Sequence, residues 1–365
     1  MTRLPKVVIT DFVADDLAPE RRILDGVAEV DAINARSEED LSGRIDEAAA
    51  LMVYHNIRLT EKTIARLRRC KLIVRCGVGY DNVDCAVAGR RGIPVANVPD
   101  YGSEEVADTA IGMALSLTRG IALLNSRLRR GEGPWFYTQA VPCRRLRGQV
   151  FGIVGLGRIG TATAIRAKAL GLDVAFYDPY KPDGYDKAMG IRRVDDLGDL
   201  LSQAFILSLH CPLTDETRGI IDGEALGRMP RGSYLINTAR GGLVDSASIP
   251  AAIASGQLAG AGIDVLPHEP PQAFDPLIAA WRDPEHPAHD RVLINPHAAF
   301  YSEEALLEMR TKGAEACRRA LLGKGVNTVV NSVVNGECNG EQNGERDAAP
   351  KGSHCRKGVL HAPTD

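Results

Sequence analysis

The sequence predicts an α/β protein of two doubly wound parallel-sheet domains, and three observations carry that expectation. Short apolar runs alternate with helical patterns from residue 6 to 99, and a second series of the same kind runs from Gln149 to His297. One turn of the second series also holds a glycine pattern placed between a strand and a helix. Strands that alternate with helices form parallel sheets covered on both faces, so they read as near-continuous apolar runs. At 365 residues the chain is long enough for two cores, since a domain averages roughly 150 residues.

Residues 5 to 10 (PKVVIT) read as the first strand, which leaves no room for a signal peptide ahead of the fold. The pattern continues through a segment around Ile23 and Leu24, then Leu51 to Tyr54, Thr60 to Leu67, Leu72 to Cys76 and Val95 to Val98. Ser103 opens a long amphipathic helix with Glu104 and Glu105 in its first turn, where acids suit the helix dipole. Its apolar face is Val106, Ala110, Met113, Ala114 and Leu117, and it is expected to join the two domains. Residues 125 to 148 break the alternation with Arg127, Arg129, Arg130, Gly131, Gly133 and the run Trp135-Phe136-Tyr137. They read as an irregular surface arm or as an arm that contacts a second subunit. Ser302 caps a further helix through Leu307, Met309 and Ala316 to a stop at Gly323. After Val334 three Asn-Gly-Glu repeats precede a stretch with little to bury, so residues 336 to 365 are expected to be a disordered tail. His354, Cys355 and His361 in that tail lack a fourth ligand, and no metal site is expected.

Lys and Arg total 44 against 47 Asp and Glu, a formal charge of -3, so no basic field exists to hold a nucleic acid or an anionic membrane. No apolar run approaches the length of a membrane span. The eight cysteines are scattered without a CxxC pair, which points to free thiols in a reduced, cytoplasmic compartment.

The most informative stretch is Gln149 to Asp178. A strand (Val150 to Val154) runs into Gly155-Leu156-Gly157-Arg158-Ile159-Gly160, a helix is expected from Thr161 to Leu170, and a strand from Val174 to Tyr177 ends at Asp178. The acid lies 178 - 155 = 23 residues past the first glycine, the context a dinucleotide-binding turn requires. Gly155 permits the tight turn, Gly157 lets backbone approach a pyrophosphate, and Gly160 lets the helix pack on the sheet. Asp178 can accept hydrogen bonds from both ribose hydroxyls and repels a 2'-phosphate, so NAD is expected rather than NADP, with Lys181 the nearby cation.

Three further segments each follow a strand-like run: Tyr234 to Gly242 (YLINTARGG), Gly262 to Pro270 (GIDVLPHEP) and Val292 to Phe300 (VLINPHAAF). Ligands collect at the carboxyl ends of parallel strands. Arg240, between a strand end and a glycine pair, offers a planar fork able to grip a carboxylate. Singly, His297 reads as a structural histidine and Glu269 as a loop acid. Together they make an acid-base pair, since imidazole suits transfer of a hydroxyl proton near neutral pH and a carboxylate on its other nitrogen fixes the tautomer.

The set GLGRIG, YDP, NTARGGLVD, DVLPHEP and NPHAA resembles the D-isomer-specific 2-hydroxyacid dehydrogenase family. YHNIRLT, IVRCGVGYDNVD, EEVADT, FYDPY and YSEEALLEMR resemble its C-terminal-binding-protein branch, and the likeness covers about residues 5 to 330. The resemblance implies Arg240, Glu269 and His297 as the catalytic trio, with Asp264 on the nicotinamide side. It places His55, Arg75 and the backbone of Gly77, Val78 and Gly79 at the substrate mouth. Thr109, Arg158, Ile159, His210, Cys211, Pro212, Thr217, Thr238 and Ala239 are implied to line the NAD cleft. Two departures stand out. Phe300 occupies a place that carries tryptophan in that branch, keeping an aromatic wall while losing an N–H donor. The interval from Glu269 to His297, 297 - 269 = 28 residues, is long for the family, and the extra residues, Pro271 to Arg291, are expected to border the site and shape specificity.

The expected architecture is a Rossmann NAD domain at residues 103 to 300 and a discontinuous flavodoxin-like substrate domain at 1 to 102 plus 301 to 335, with the site in the cleft between them. The expected reaction is reversible hydride transfer between NADH and the C2 carbonyl of a small 2-oxo acid by a homodimer. The same branch also implies a rival reading, an NAD(H)-sensing scaffold of the corepressor kind, against which the intact trio argues.

Overall fold

The computed structural model describes residues 4–333, so the tail expected at 336 to 365, with His354, Cys355 and His361, lies outside the described residues. The first unit contains β1 (Lys6–Ile9), α1 (Ala18–Leu24), β2 (Glu29–Ala32), β3 (Ala50–Val53), α2 (Glu61–Ile64), β4 (Ile73–Arg75), α3 (Cys85–Arg90) and β5 (Val95–Asn97). Its strands form one parallel sheet in the order β2-β1-β3-β4-β5. All four residues of β3 are buried, as the run Ala50-Leu51-Met52-Val53 demands. Val7, Ile9, Ala50 and Met52 face one core while Val8, Leu51 and Val53 face the other, the two-sided burial that erases polar alternation.

Two helices follow, α4 (Ser103–Thr118) and α5 (Ile121–Arg129). The α4 boundaries match the amphipathic pattern, and its apolar face packs against the second sheet. A side chain on Gly262 would meet Met113 at 2.9 Å, so the helix rests on bare backbone there. The arm is less irregular than its composition predicts. Residues 125 to 129 complete α5 and residues 137 to 140 form a 3-10 turn, because Leu124 and Leu128 extend a helical pattern that the arginines and glycines obscure.

The second unit contains β6 (Val150–Val154), α6 (Arg158–Ala169), β7 (Asp173–Tyr177), α7 (Tyr185–Met189), β8 (Arg192–Arg193), α8 (Leu197–Gln203), β9 (Ile206–Leu209) and α9 (Gly223–Arg228). It continues with β10 (Ser233–Asn237), α10 (Ser248–Ala254), β11 (Leu258–Ile263), α11 (Pro276–Arg282) and β12 (Val292–Ile294). The strands pair in parallel in the order β12-β11-β10-β9-β6-β7-β8, the doubly wound order of a Rossmann domain.

The last helix, α12 (Glu303–Leu321), returns to the first sheet. Ser302 caps it by accepting from Ala305 N–H at 2.9 Å, and the chain turns at Gly323 with φ +69°. Gly313 brings the helix so near the sheet that a side chain there would lie 2.8 Å from Cys76 Sγ and 2.9 Å from Met52 Cε. Arg310 clasps α1, donating Nε and Nη2 to Glu20 at 2.7 Å each and Nη1 and Nη2 to Asp15 at 2.6 and 2.9 Å. Residues 328 to 330 then run antiparallel beside β5, with Asn97 N–H donating to Thr328 and Val330 N–H to Val95.

Glu20 is fully buried, so removing its cation leaves a carboxylate stranded in the core. Arg310→Met is expected to cost about 3–5 kcal/mol, and the double change with Glu20→Met to recover most of it, measured by urea unfolding. An unchanged midpoint for Arg310→Met contradicts this account of how α12 is held.

Candidate active site

In a doubly wound sheet the loops part where the winding reverses, leaving a crevice at the carboxyl ends of two neighbouring strands. In the first sheet that place lies between β1 and β3, where Asp11-Phe12 and Tyr54-His55 emerge. In the second it lies between β6 and β9, where the Gly155 turn and His210-Cys211 emerge. Both crevices open on one cavity of about 430 Å³, lined by residues of both units, among them His55, Arg75, Arg158, Arg240, His297 and Phe300.

The glycine turn is fixed by close approach. Gly155 has φ +88°, and a side chain on it would lie 2.6 Å from Cys211 N; one on Gly160 would lie 2.2 Å from the Gly155 carbonyl oxygen. Gly157 faces open space and caps α6 without a side-chain partner. The helix thus starts at Arg158, three residues earlier than the sequence predicts, because its own first turn contains the last residues of the glycine motif. Its leading amides face the cleft, as an anion requires. At the end of β7, Asp178 accepts from Leu156 N–H at 2.8 Å and Tyr180 N–H at 3.0 Å, which fixes the carboxylate at the cleft edge.

On the opposite lip, Thr238 Oγ1 and His210 Nδ1 are buried without a hydrogen-bond partner among the described residues. Such orphans are uncommon, and these two line the cavity, where a polar ligand can complete their bonding. A dinucleotide fits this donor set. His210 holds Ser208 Oγ through Nε2 at 2.9 Å, and burial pushes its pKa down to about 3. Cys211 is buried and its thiol is pushed up to about 11 by that burial. Arg158, Ile159, Pro212 and Ala239 also line the cleft. Thr109 instead donates to the Ala299 carbonyl at 3.3 Å and borders a separate hollow with Asn295, and Thr217 folds back on the Pro212 carbonyl at 2.6 Å.

His297 and Glu269 meet. Nδ1 of His297 lies 2.7 Å from Glu269 Oε2, and Glu269 Oε1 accepts from Leu266 N–H at 2.7 Å. Burial works to raise the Glu269 pKa, but the His297 hydrogen bond and charge outweigh it and hold the carboxyl below its usual range. With Nδ1 engaged, Nε2 is the nitrogen left for the cleft. His297 takes a left-handed backbone, φ +55°, uncommon for a side chain of this size. Asp264 supports it: its carbonyl accepts from His297 N–H, and its carboxylate accepts from the amides of Ala298 and Ala299 at 2.9 and 3.0 Å. Burial raises the Asp264 pKa.

Two guanidinium groups lie over the loop Gly77-Val78-Gly79. A side chain on Gly77 would overlap Arg75 Nη1 at 1.5 Å, and one on Gly79 would overlap Arg240 Nη2 at 1.6 Å, so the glycines let both guanidinium groups sit against the backbone. Arg75 is buried and donates Nε to Asn82 Oδ1 at 3.3 Å and Nη1 to the Cys76 carbonyl at 3.1 Å. Arg240 donates Nε to Asp81 Oδ1 at 2.9 Å and Nη1 to the Ala239 carbonyl at 2.8 Å. His55 lies between Phe12, 4.8 Å away between ring centres, and His297, 5.4 Å away, with Phe300 edge-on at 6.2 Å. Burial, then the neighbouring His297 and Arg75 charges, lower the His55 pKa to about 4.

Sequence reasoning quoted Asp81 and Asn82 inside a longer motif without assigning them a place, and it missed Asp11 and Phe12. Asp11 accepts from the Tyr54 and Asn56 amides at 2.9 and 2.8 Å and so pins the turn carrying His55. Its signal was a lone acid at the end of an apolar strand. Pro271 to Arg291, expected beside the site, folds as α11 and its flanks, and none of its described residues lines the cleft. The Asp275 cap on Leu277 and Ile278 N–H and the buried Leu277 and Ile278 draw it to the core of the second unit.

Residues 111–299 match the family described as D-isomer specific 2-hydroxyacid dehydrogenase, NAD binding domain. The chain belongs to this family. It is 35% identical over 325 residues to the D-3-phosphoglycerate dehydrogenase of Methanocaldococcus jannaschii, covering 89% of this chain and 59% of that protein. It is 34% identical over 329 residues to C-terminal-binding protein 1 of Caenorhabditis elegans, covering 88% and 44%. The chain thus spans about half the length of the curated relatives it matches. The D-lactate dehydrogenase of Aquifex aeolicus, solved with NAD and lactic acid, superposes with a TM-score of 0.76 at 27% identity, covering 87% of this chain and 96% of that one. As a family member the chain carries an NAD-binding domain, and the Gly155 turn with α6 lies within the matched residues. No single helix among the described residues is long and apolar enough to cross a membrane.

His55 and His210 give a pH test. A histidine whose folded pKa is depressed takes up its proton first in the unfolded state, so acid favours unfolding between the two values. Stability is expected to be full above pH 6.5 and to fall as pH drops toward about 4 through His55 and about 3 through His210. Urea midpoints at pH 7 and pH 5 should differ less in His55→Gln and His210→Asn than in the unsubstituted protein. Equal differences contradict burial of the neutral rings.

Proposed function

We propose that this chain is an NAD-dependent dehydrogenase of small 2-hydroxy acids, reducing the C2 carbonyl of a 2-oxo acid with NADH in one direction and oxidising the alcohol in the other. The observation that carries the reading is the 2.7 Å Glu269–His297 pair, whose histidine lines one cleft together with Arg240 and with Gly157 of the glycine turn. When bound, the nicotinamide gives or takes a hydride. Arg240, with Nη2 free of described partners, grips the substrate carboxylate, and the Gly77 to Gly79 amides offer further donors to it. His297 Nε2 gives a proton to the carbonyl oxygen during reduction and takes it back in the reverse direction. Glu269 holds the ring in orientation and fixes which nitrogen faces the cleft. Phe300, Tyr101 and Phe12 form an aromatic wall that suits a small apolar or aromatic substrate side chain. Asp178 takes the ribose hydroxyls and repels a 2'-phosphate. The acid-base pair and the two guanidinium groups favour chemistry over a ligand-sensing scaffold.

We assign residues 1 to 102 with 301 to 335 to the substrate domain and 103 to 300 to the NAD domain, supported by the return of α12 to the first sheet. The arm exposes Trp135 (87%), Phe136 (59%) and Tyr137 (67%) side by side. Such a patch favours burial against a second copy in a homodimer.

Oxidation of NADH, followed with glyoxylate, hydroxypyruvate, pyruvate, phenylpyruvate and branched 2-oxo acids, is expected to find at least one substrate, with NADH bound more tightly than NADPH. His297→Asn should lower turnover about 100-fold or more while NADH affinity, read by fluorescence, stays the same. Inactivity on every acid, or full turnover in His297→Asn, overturns the reading. Light scattering at micromolar concentration should give twice the mass of one chain, and Trp135→Glu with Phe136→Glu should give the single-chain mass; a monomer without substitution refutes the dimer.

A further inference from the structure

We propose that the neighbours Asp81 and Asn82 are the positioning residues of the substrate site, one setting Arg240 from across the cleft and the other setting Arg75 and the His55 turn together. The inference rests on the dehydrogenase reading above and assigns roles that the trio leaves open.

Each guanidinium is held in the same manner. Its Nε goes to residue 81 or 82, its Nη1 goes to a nearby carbonyl, and no described residue takes Nη2. Two donors fix the plane of the fork, and the third stays available beside the Gly77–Gly79 loop. The partners differ in charge. Arg240 meets the carboxylate of Asp81, which burial works to raise but which the Arg240 charge holds below the usual range. Arg75, although buried, meets the neutral amide of Asn82. Asp81 thus holds Arg240 by a charge-assisted bond that fixes its direction, while the neutral Asn82 holds Arg75 without cancelling its charge.

Asn82 also reaches the other side of the mouth. Its Nδ2 donates to the carbonyls of Tyr54 and Ile57 at 2.7 Å each, on either side of His55. Two short bonds to carbonyl oxygens fix which end of the amide is the donor, and the oxygen is then presented to Arg75. A carboxylate at 82 would face those two carbonyls with lone pairs and neutralise Arg75. Asp81 belongs to the loop after β4 and Arg240 to the loop after β10, so their ion pair spans the cleft between the two sheets. The carboxylate of Asp81 is 41% exposed, so removing its charge does not threaten the core.

The test uses the full chain with its best 2-oxo acid, together with calorimetric binding of oxalate to the NADH-saturated protein. Asp81→Asn keeps an acceptor and loses the charge; it should raise the substrate KM about tenfold and weaken oxalate similarly, with a smaller change in kcat and none in NADH affinity. Asp81→Glu should restore KM most of the way. Asn82→Asp should raise KM at least as much, and Asn82→Ser, which removes the His55 and Arg75 links without adding charge, keeps the test available if Asn82→Asp folds poorly. A purely structural role would lower the melting temperature and leave the ratio of KM to kcat untouched. Activity in the unsubstituted protein with unchanged KM and oxalate affinity in Asp81→Asn and Asn82→Ser overturns this proposal alone. Neither turnover nor oxalate binding in the unsubstituted protein overturns the dehydrogenase reading and this proposal with it.

Discussion

The winding reversal of a parallel sheet is the constraint on which this molecule depends. At that place alone two adjacent loops leave in opposite directions, so backbone polar groups can face a ligand without either sheet losing its cover. Here two such reversals face one another. The Gly155 turn and His210 come from one, and Asp11 and His55 come from the other. The helix α4 leaving the first unit and the α12 segment returning to it hold the two in register, where a side chain on Gly102 would lie 3.3 Å from Phe300 and Ser302 donates to Glu105 at 2.8 Å. Every residue of the site is a consequence of where strands end.

Charge follows from that placement. The substrate mouth gathers the guanidinium groups of Arg75 and Arg240, the imidazoles of His55 and His297 and the carboxylates of Asp81, Asp264 and Glu269, and a buried charge persists only with partners. Each anion is met by specific donors: Arg240 for Asp81, the Ala298 and Ala299 amides for Asp264, and His297 with the Leu266 amide for Glu269. His55 resolves its cost by staying neutral. Over the Gly77–Gly79 loop the Arg75 and Arg240 charges outnumber that of Asp81, and an organic anion completes the balance there.

Much of this was legible in the residues. The glycine motif announces itself because steric need leaves no substitute: a side chain on Gly155 or Gly160 would lie 2.6 Å or less from backbone. Arg240, Glu269 and His297 were legible because each follows an apolar strand by a few residues. Tertiary partners were less so. Asp81 and Asn82 look like turn residues, and only the fold carries Arg240 to one and the His55 turn to the other. The start of α6 at Arg158 was hidden because glycine in a first turn reads as loop. Pro271 to Arg291 read as a site loop because the interval from Glu269 to His297 is long for the family, whereas its Leu277 and Ile278 commit it to the core of the second unit.

The central claim is that a hydride passes between the cofactor and C2 of a 2-oxo acid while His297 handles the proton. Reduction with NADH carrying deuterium on the transferred position of C4, followed by NMR of the product, tests it most directly. The account predicts one deuterium at C2 of the D-2-hydroxy acid and none in the hydroxyl or the solvent. Product without deuterium at C2, whichever hydrogen of C4 is labelled, would contradict it.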